Sequence, residues 1–158
     1  MTLPIGPSSI VTVTVDGQAV LLVRYPSRSP LAAEPDPMTA AARAASRALV
    51  DHPGVDVVGL VPVDADDATV AHVVSLALVR LASHTAVVTV RPVTDAVKRV
   101  VGDERAVIAG TVDRASLRWA GGPAFIRREV LQQALAGSIP PADLLARVAE
   151  LAGPLAVL

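Results

Sequence analysis

The chain has 158 residues, 52% hydrophobic but only 2% aromatic, with a formal net charge of −1 and no cysteine. That length supports one domain with a real core, which must be aliphatic. Disorder is excluded by the apolar content, and disulfides and thiolate zinc sites by the lack of cysteine. Nucleic acid is not an expected partner: there is no basic surplus to meet phosphates and no set of aromatic platforms for base stacking. The N-terminus lacks a basic n-region and a sustained apolar segment. No apolar run approaches ~20 uncharged residues. A cytoplasmic protein without a membrane partner is expected.

Ile10 to Val15 (IVTVTV) alternates apolar residues with threonine, the pattern of a half-buried strand. Asp16-Gly17 marks a turn, and Ala19 to Val23 is a second strand-like run, so the pair reads as a hairpin. Tyr25 to Met38 carries four prolines and reads as a loop. Thr39 is the expected cap of an Ala-rich helix reaching about Val50, stopped by His52-Pro53-Gly54.

Val55 to Val63 (VDVVGLVPV) is the run expected of a strand buried on both faces. Asp66-Asp67 begin a helix over about Ala68 to Ala82, with Val70, Val73, Val74, Ala77, Leu78 and Leu81 on one face. Leu76 and Val79 fall off that stripe and suggest a second covered face. Ala86 to Val90 is a strand. Ala106 to Val112 is expected to pair with part of Lys98 to Val101 across the charged turn Gly102-Asp103-Glu104-Arg105. Phe125 to Leu135 and Asp143 to Leu151 read as helices, and Leu155 to Leu158 as a short final strand. Alternating strands and helices predict a mainly parallel sheet covered on both faces.

The stretch Val90 to Phe125 carries the chemistry-bearing motifs. Pro92-Val93-Thr94-Asp95-Ala96-Val97-Lys98 is followed by a hairpin, then Thr111-Val112-Asp113-Arg114, then Gly122-Pro123-Ala124-Phe125-Ile126. In order and spacing this resembles the 2-C-methyl-D-erythritol 4-phosphate cytidylyltransferases of non-mevalonate isoprenoid biosynthesis. Those enzymes carry PV-x-D-T-x-K, a β-arm, T-x-(D/E)-R and T-P-Q-x-F. Asp143 to Leu158 resembles the family's D-D-A-x-L-V-E helix and the strand after it.

The resemblance implies an α/β fold: a three-layer, mainly parallel, nucleotidyltransferase-like (Rossmann-like) sheet with helices on both faces. Residues 1–158 would form a single shortened domain, with a β-hairpin arm at about 98–112. It also implies CTP-dependent nucleotidyl transfer to a sugar phosphate, with Mg²⁺ if the protein is active, and a homodimer formed through the arm. Carried over residue by residue, the candidate substrate-binding set is Arg114, Thr111, Asp113, Asp95, Lys98 and Arg28, with a small phosphorylated ligand as the implied partner. No catalytic residue and no metal ligand is assigned.

Several of the family's groups are replaced. Its Gly-rich P-A-A-G-x-G-x-R loop has no counterpart: no G-x-G occurs, and Lys98 is the only lysine. Ala96 stands at the threonine of D-T-x-K, Gly122 at the threonine of T-P-Q and Ala124 at its glutamine. The family's H-D-A-A-R-P segment has two candidate registers. One places it at Arg24 to Ser29, aligned on Arg28, with Tyr25 at the aspartate position. The other takes Arg47 to Asp66 as the family's first helix and following strand.

Three functional expectations follow. The first is a degenerate cytidylyltransferase-like protein, acting as a binding or regulatory homo-oligomer. The second is an active enzyme with a divergent phosphate cradle built from Arg24 and Arg28. The third is a purely structural protein whose arm is an assembly device. A structural role competes at each candidate: an ion pair for Asp113 and Arg114, pairing of Lys98 with Asp95 or Glu104, and solvated surfaces for Arg43, Arg47, Arg127 and Arg128. His52, His72 and His84 show no metal-ligand spacing.

Overall fold

The computed structural model describes residues 10–26, 37–102, 105–137 and 143–158. The first two strands, β1 (Ile10–Val15) and β2 (Gln18–Tyr25), form an antiparallel hairpin registered from Ile10 opposite Val23 to Val15 opposite Gln18. Asp16 (φ 50°) and Gly17 (φ 78°) are both left-handed, as a two-residue hairpin turn requires. The helix α1 (Pro37–Ala48) starts two residues before Thr39, which is buried inside it. The expectation that Thr39 caps this helix is therefore corrected: a proline is pre-organised for the first helical position and sets the start earlier.

β3 (Val57–Pro62) is buried along its whole length and runs parallel to β2. α2 (Asp67–Leu81) follows, with the Asp66 carboxylate accepting from the Thr69 backbone N–H at 2.9 Å. Its stripe Val70, Val74, Ala77 and Leu81 is buried, with Val73 and Leu78 packed beside it. Leu76 and Val79 are exposed, so the second face suggested by the sequence is uncovered among the described residues. β4 (Ala86–Val88) leads to the short β5 (Arg91–Pro92) and then to the arm, β6 (Val97–Val101) and β7 (Val107–Val112). The arm strands pair antiparallel, with an irregularity between Arg99 and Val100, in a sheet of their own. β8 (Arg118–Trp119) pairs with β5 in a second small sheet.

One segment changes class. Phe125 to Arg127, expected as the start of a helix, belongs to strand β9 (Ala124–Arg127), and the helix α3 begins only at Arg128 and ends at Ala134. The burial explains why: Phe125 and Ile126 are both fully buried, but in the two opposite cores. Two successive residues pointing to opposite faces is the strand period, not the helix period. β9 lies antiparallel between β3 and β4. Its Phe125 lies over Gly59 of β3, where a Cβ would stand 2.8 Å from the ring and 2.6 Å from Leu22 Cδ2. α4 (Leu144–Ala152), capped by Asp143, and β10 (Ala156–Val157) complete the described chain.

The main sheet has the order β1-β2-β3-β9-β4-β10. β2, β3, β4 and β10 are parallel to one another, and β1 and β9 run against them. One face is covered by α1, α3 and α4, the other by α2. This is the expected three-layer α/β architecture with a hairpin arm. The connections β2–α1–β3 and β3–α2–β4 step the same way across the sheet, yet α1 and α2 lie on opposite faces. The two crossovers therefore have opposite hands, so one of them departs from the right-handed rule.

Candidate functional site

In open α/β sheets the ligand region lies beyond the carboxyl ends of the parallel strands. Here that end is built from the last residues of β2 and β3 and the loops before α2 and β9. Arg24, near the end of β2, is only 8% exposed. Its guanidinium donates to the carbonyls of Pro62 (3.2 Å), Val63 (3.4 Å) and Ala65 (2.8 Å), and to Asp67 Oδ1 at 2.8 Å. A planar five-donor fork suits this arrangement, because the acceptors surround it on two sides. In the cradle expected from Arg24 and Arg28, both terminal nitrogens of Arg24 are engaged by the protein's own oxygens. Arg28 lies outside the described residues.

Tyr25 extends the same ledge. Its backbone carbonyl accepts from the Val63 N–H at 2.9 Å, and its hydroxyl donates to the Gly122 carbonyl at 3.1 Å. This ties the end of β2 to the loop before β9. Across that loop, a Cβ at Gly122 would sit 3.1 Å from Thr89 Cβ. The Thr89 backbone N–H donates to the Pro123 carbonyl at 2.9 Å, and its buried Oγ1 has no partner among the described residues. Glycine at 122 is thus matched to a tight local fit, which explains the loss of a hydroxyl-bearing residue there. Among the described residues Asp66 has a displaced titration. The hydrogen bond from the Thr69 hydroxyl (2.6 Å), and next the one from its N–H, hold the carboxyl below its ordinary value.

The candidates drawn from the resemblance fall into two exposed groups around the arm. On the arm itself, the Lys98 ammonium donates to Thr111 Oγ1 at 2.7 Å, across paired positions of β6 and β7. Among the described residues Lys98 thus does not pair with Asp95, as the structural reading supposed; Glu104 lies outside the described residues. At the base, Arg114 donates to the Thr94 carbonyl. That contact joins the T-x-D-R segment to the PV-x-D segment and leaves Arg114 exposed. Asp113 caps a short turn over Arg114–Ser116, accepting from the Ala115 N–H at 3.0 Å. Asp113 and Arg114 therefore do not pair with each other. No group of three or more His, Asp or Glu side chains that could hold a metal occurs among the described residues.

At the opposite end of the sheet, Arg127 and Arg128 correct the expectation of solvated arginines. Arg128 donates to the carbonyls of Leu49 (3.1 Å), His52 (3.0 Å) and Val55 (3.2 Å), and Arg127 to the Leu81 carbonyl at 2.6 Å. Each one satisfies carbonyls left open where a helix ends and the chain turns back into the sheet.

Residues 60–153 match a model of the 2-C-methyl-D-erythritol 4-phosphate cytidylyltransferase family. The chain belongs to that family. Solved structures agree on the fold. A 4-diphosphocytidyl-2C-methyl-D-erythritol synthase from Anaerococcus prevotii superposes with a TM-score of 0.56 at 16% identity, covering 76% of this chain and 55% of that one. A second 4-diphosphocytidyl-2C-methyl-D-erythritol synthase gives 0.54 at 22% identity, covering 75% and 56%. The 2-C-methyl-D-erythritol 4-phosphate cytidylyltransferase of Thermus thermophilus gives 0.55 at 22%, covering 87% and 70%. The chain spans little more than half the length of the first two. No curated protein sequence matches it.

The family match also bears on the register of the H-D-A-A-R-P segment. It begins at Leu60, inside β3, so Arg24 to Ser29 lies outside it. Asp64-Ala65-Asp66-Asp67, directly after β3, lies inside it. Those carboxylates were missed as site candidates, although an acidic cluster closing an apolar strand was visible in the sequence. No helix is long and apolar enough to cross a membrane among the described residues.

Proposed function

We propose that this protein is a degenerate member of the cytidylyltransferase family, one that does not transfer CTP and acts as a binding or regulatory homo-oligomer. The observation that carries the reading is Arg24. At the strand ends where a triphosphate would need donors, the buried cation is already surrounded by three carbonyls and Asp67. Any nucleotide would have to displace these contacts, and the chain has no G-x-G loop to supply backbone donors instead. Ala96 and Gly122 remove two further hydroxyls from family positions.

Among the exposed cations at the arm, Arg114 and Lys98 stand at the family's positions and are the groups that would hold a small phosphorylated ligand, with Thr111, Asp95 and Asp113 as the other candidates. Their present partners are single neutral oxygens, which an anionic ligand would outbid. The arm supports the homo-oligomeric part of the reading: Val100, Val101, Val107 and Ile108 are 53–69% exposed. Burial of each such side chain contributes ~1.5–3 kcal/mol.

Incubation with CTP, methylerythritol phosphate and Mg²⁺ tests the reading by pyrophosphate release. None is expected above background. Turnover that is lost in Arg114→Ala would establish the active-enzyme alternative instead.

A further inference from the structure

The strand β1 is the outermost of the main sheet and pairs only with β2 among the described residues. Its closing pair, Val15–Gln18, flanks a two-residue turn and is therefore hydrogen-bonded, and such pairs alternate along an antiparallel ladder. Val11, Val13 and Val15 thus turn their backbone groups to β2, and Ile10, Thr12 and Thr14 turn theirs out of the sheet. No backbone group of a described loop or cap meets them. Exposed edges in natural sheets are guarded by charge, proline, a bulge or a covering element. β1 reads IVTVTV in an unbroken register, so the first three guards are absent. The described helices do not supply the fourth: α1 packs chiefly on β2, and α2 on β4 and β9.

We propose that this edge docks a second copy of the chain, the two β1 strands pairing antiparallel about a two-fold axis at Thr12. An axis normal to the sheet keeps each face on its own side, so one continuous sheet results. With Thr12 opposite the partner's Thr12, Ile10 lies opposite the partner's Thr14, and Thr14 opposite the partner's Ile10. All three outward-facing residues then stand in hydrogen-bonded pairs, each pair exchanging two bonds. Moving the axis to Val13 puts Ile10 against the partner's Asp16, a left-handed turn residue outside the strand.

The side chains fit the same register. Val11, half-buried on the α2 face, meets the partner's Val13. On the other face the exposed Ile10 and the partner's Thr14 cover each other as a cross-strand pair. A second copy suits this edge better than a foreign strand, because β1 carries no charge to repel its own image or to select a charged peptide. The bodies also clear each other. β2 and the partner's β2 stand three strand spacings apart, about 14 Å. Helices pack at roughly 8–10 Å, so the two copies of α1 lie side by side without collision.

This pairing is separate from the arm, so it is tested with the arm charged by Val107→Asp and Ile108→Asp, both at exposed positions. Light scattering of that chain is expected to give twice 16.2 kDa. Adding Thr12→Lys or Thr12→Glu sets like charges opposite each other and is expected to give 16.2 kDa; mixing the two variants is expected to restore the doubled mass. A folded 16.2 kDa species before Thr12 is changed overturns the proposal. So does a mass that ignores the charges at Thr12, or a mixture that stays monomeric. Because the native chain has no cysteine, single cysteines read the register. Thr12→Cys is expected to oxidise to a covalent dimer on a non-reducing denaturing gel, since the Cα atoms of a hydrogen-bonded pair stand about 5.5 Å apart, within disulfide reach. Thr14→Cys lies about 14 Å from its own image and is expected to stay monomeric. Equal cross-linking at the two positions overturns the proposal.

Discussion

Replacing Arg24 by methionine keeps most of the buried stem and deletes the charge. It removes a donor from the carbonyls of Pro62, Val63 and Ala65 and from the Asp67 carboxylate. Each lost hydrogen bond is worth about 0.5–1.5 kcal/mol. Breaking a buried pair from one side costs about 3–5 kcal/mol. Asp67 is 35% exposed and Val63 is also open to water, so solvent replaces part of what is lost. The expected destabilisation is therefore about 2–4 kcal/mol. With a urea slope of about 2 kcal/mol/M, the unfolding midpoint falls by about 1–2 M at unchanged slope. Arg24→Lys recovers only part of this, since one ammonium cannot bridge acceptors on two sides. A midpoint shift below about 0.3 M for Arg24→Met would refute the argument and leave the guanidinium free for an anionic ligand.

Three further outcomes are expected. Gly59→Ala forces a methyl into Leu22 and Phe125 and destabilises by about 1–3 kcal/mol in the same urea assay. Asp66 stabilises α2 as a carboxylate with its pKa held below the ordinary 3.8. Its contribution is therefore complete above that pH and is lost as pH falls through the lower folded value. Asp66→Asn should flatten this acid limb of the stability curve measured between pH 5 and about pH 2. Arg114→Ala should weaken binding of a sugar phosphate in a thermal-shift titration while leaving the unfolding midpoint without ligand nearly unchanged, because Arg114 is exposed and holds one carbonyl.

Most of the fold is legible in the sequence because it rests on local pattern. Asp16-Gly17 specifies its turn, Val70 to Leu81 shows its stripe, and Asp66 and Asp143 cap the helices that follow them. β9 was hidden because its four residues run straight into α3, so the apolar spacing of Phe125 to Leu135 merges two periods. Only the neighbours β3 and β4 reveal that Phe125 and Ile126 must face opposite cores. The arginines were misread for a related reason. Arg24, Arg127 and Arg128 are bound by carbonyl oxygens from residues far along the chain, and backbone acceptors leave no mark in a sequence. The candidates from Asp95 to Arg114 were placed on the arm because motif order survives divergence. Which of them touch was set by the hairpin register, which pairs Lys98 with Thr111, and by the turn that carries Arg114 to Thr94.

The central claim is that the strand ends no longer form a triphosphate cradle. Isothermal titration calorimetry of the full chain with CTP and Mg²⁺ tests it most directly. No saturable heat is predicted up to millimolar CTP. A one-to-one isotherm with micromolar affinity would contradict it.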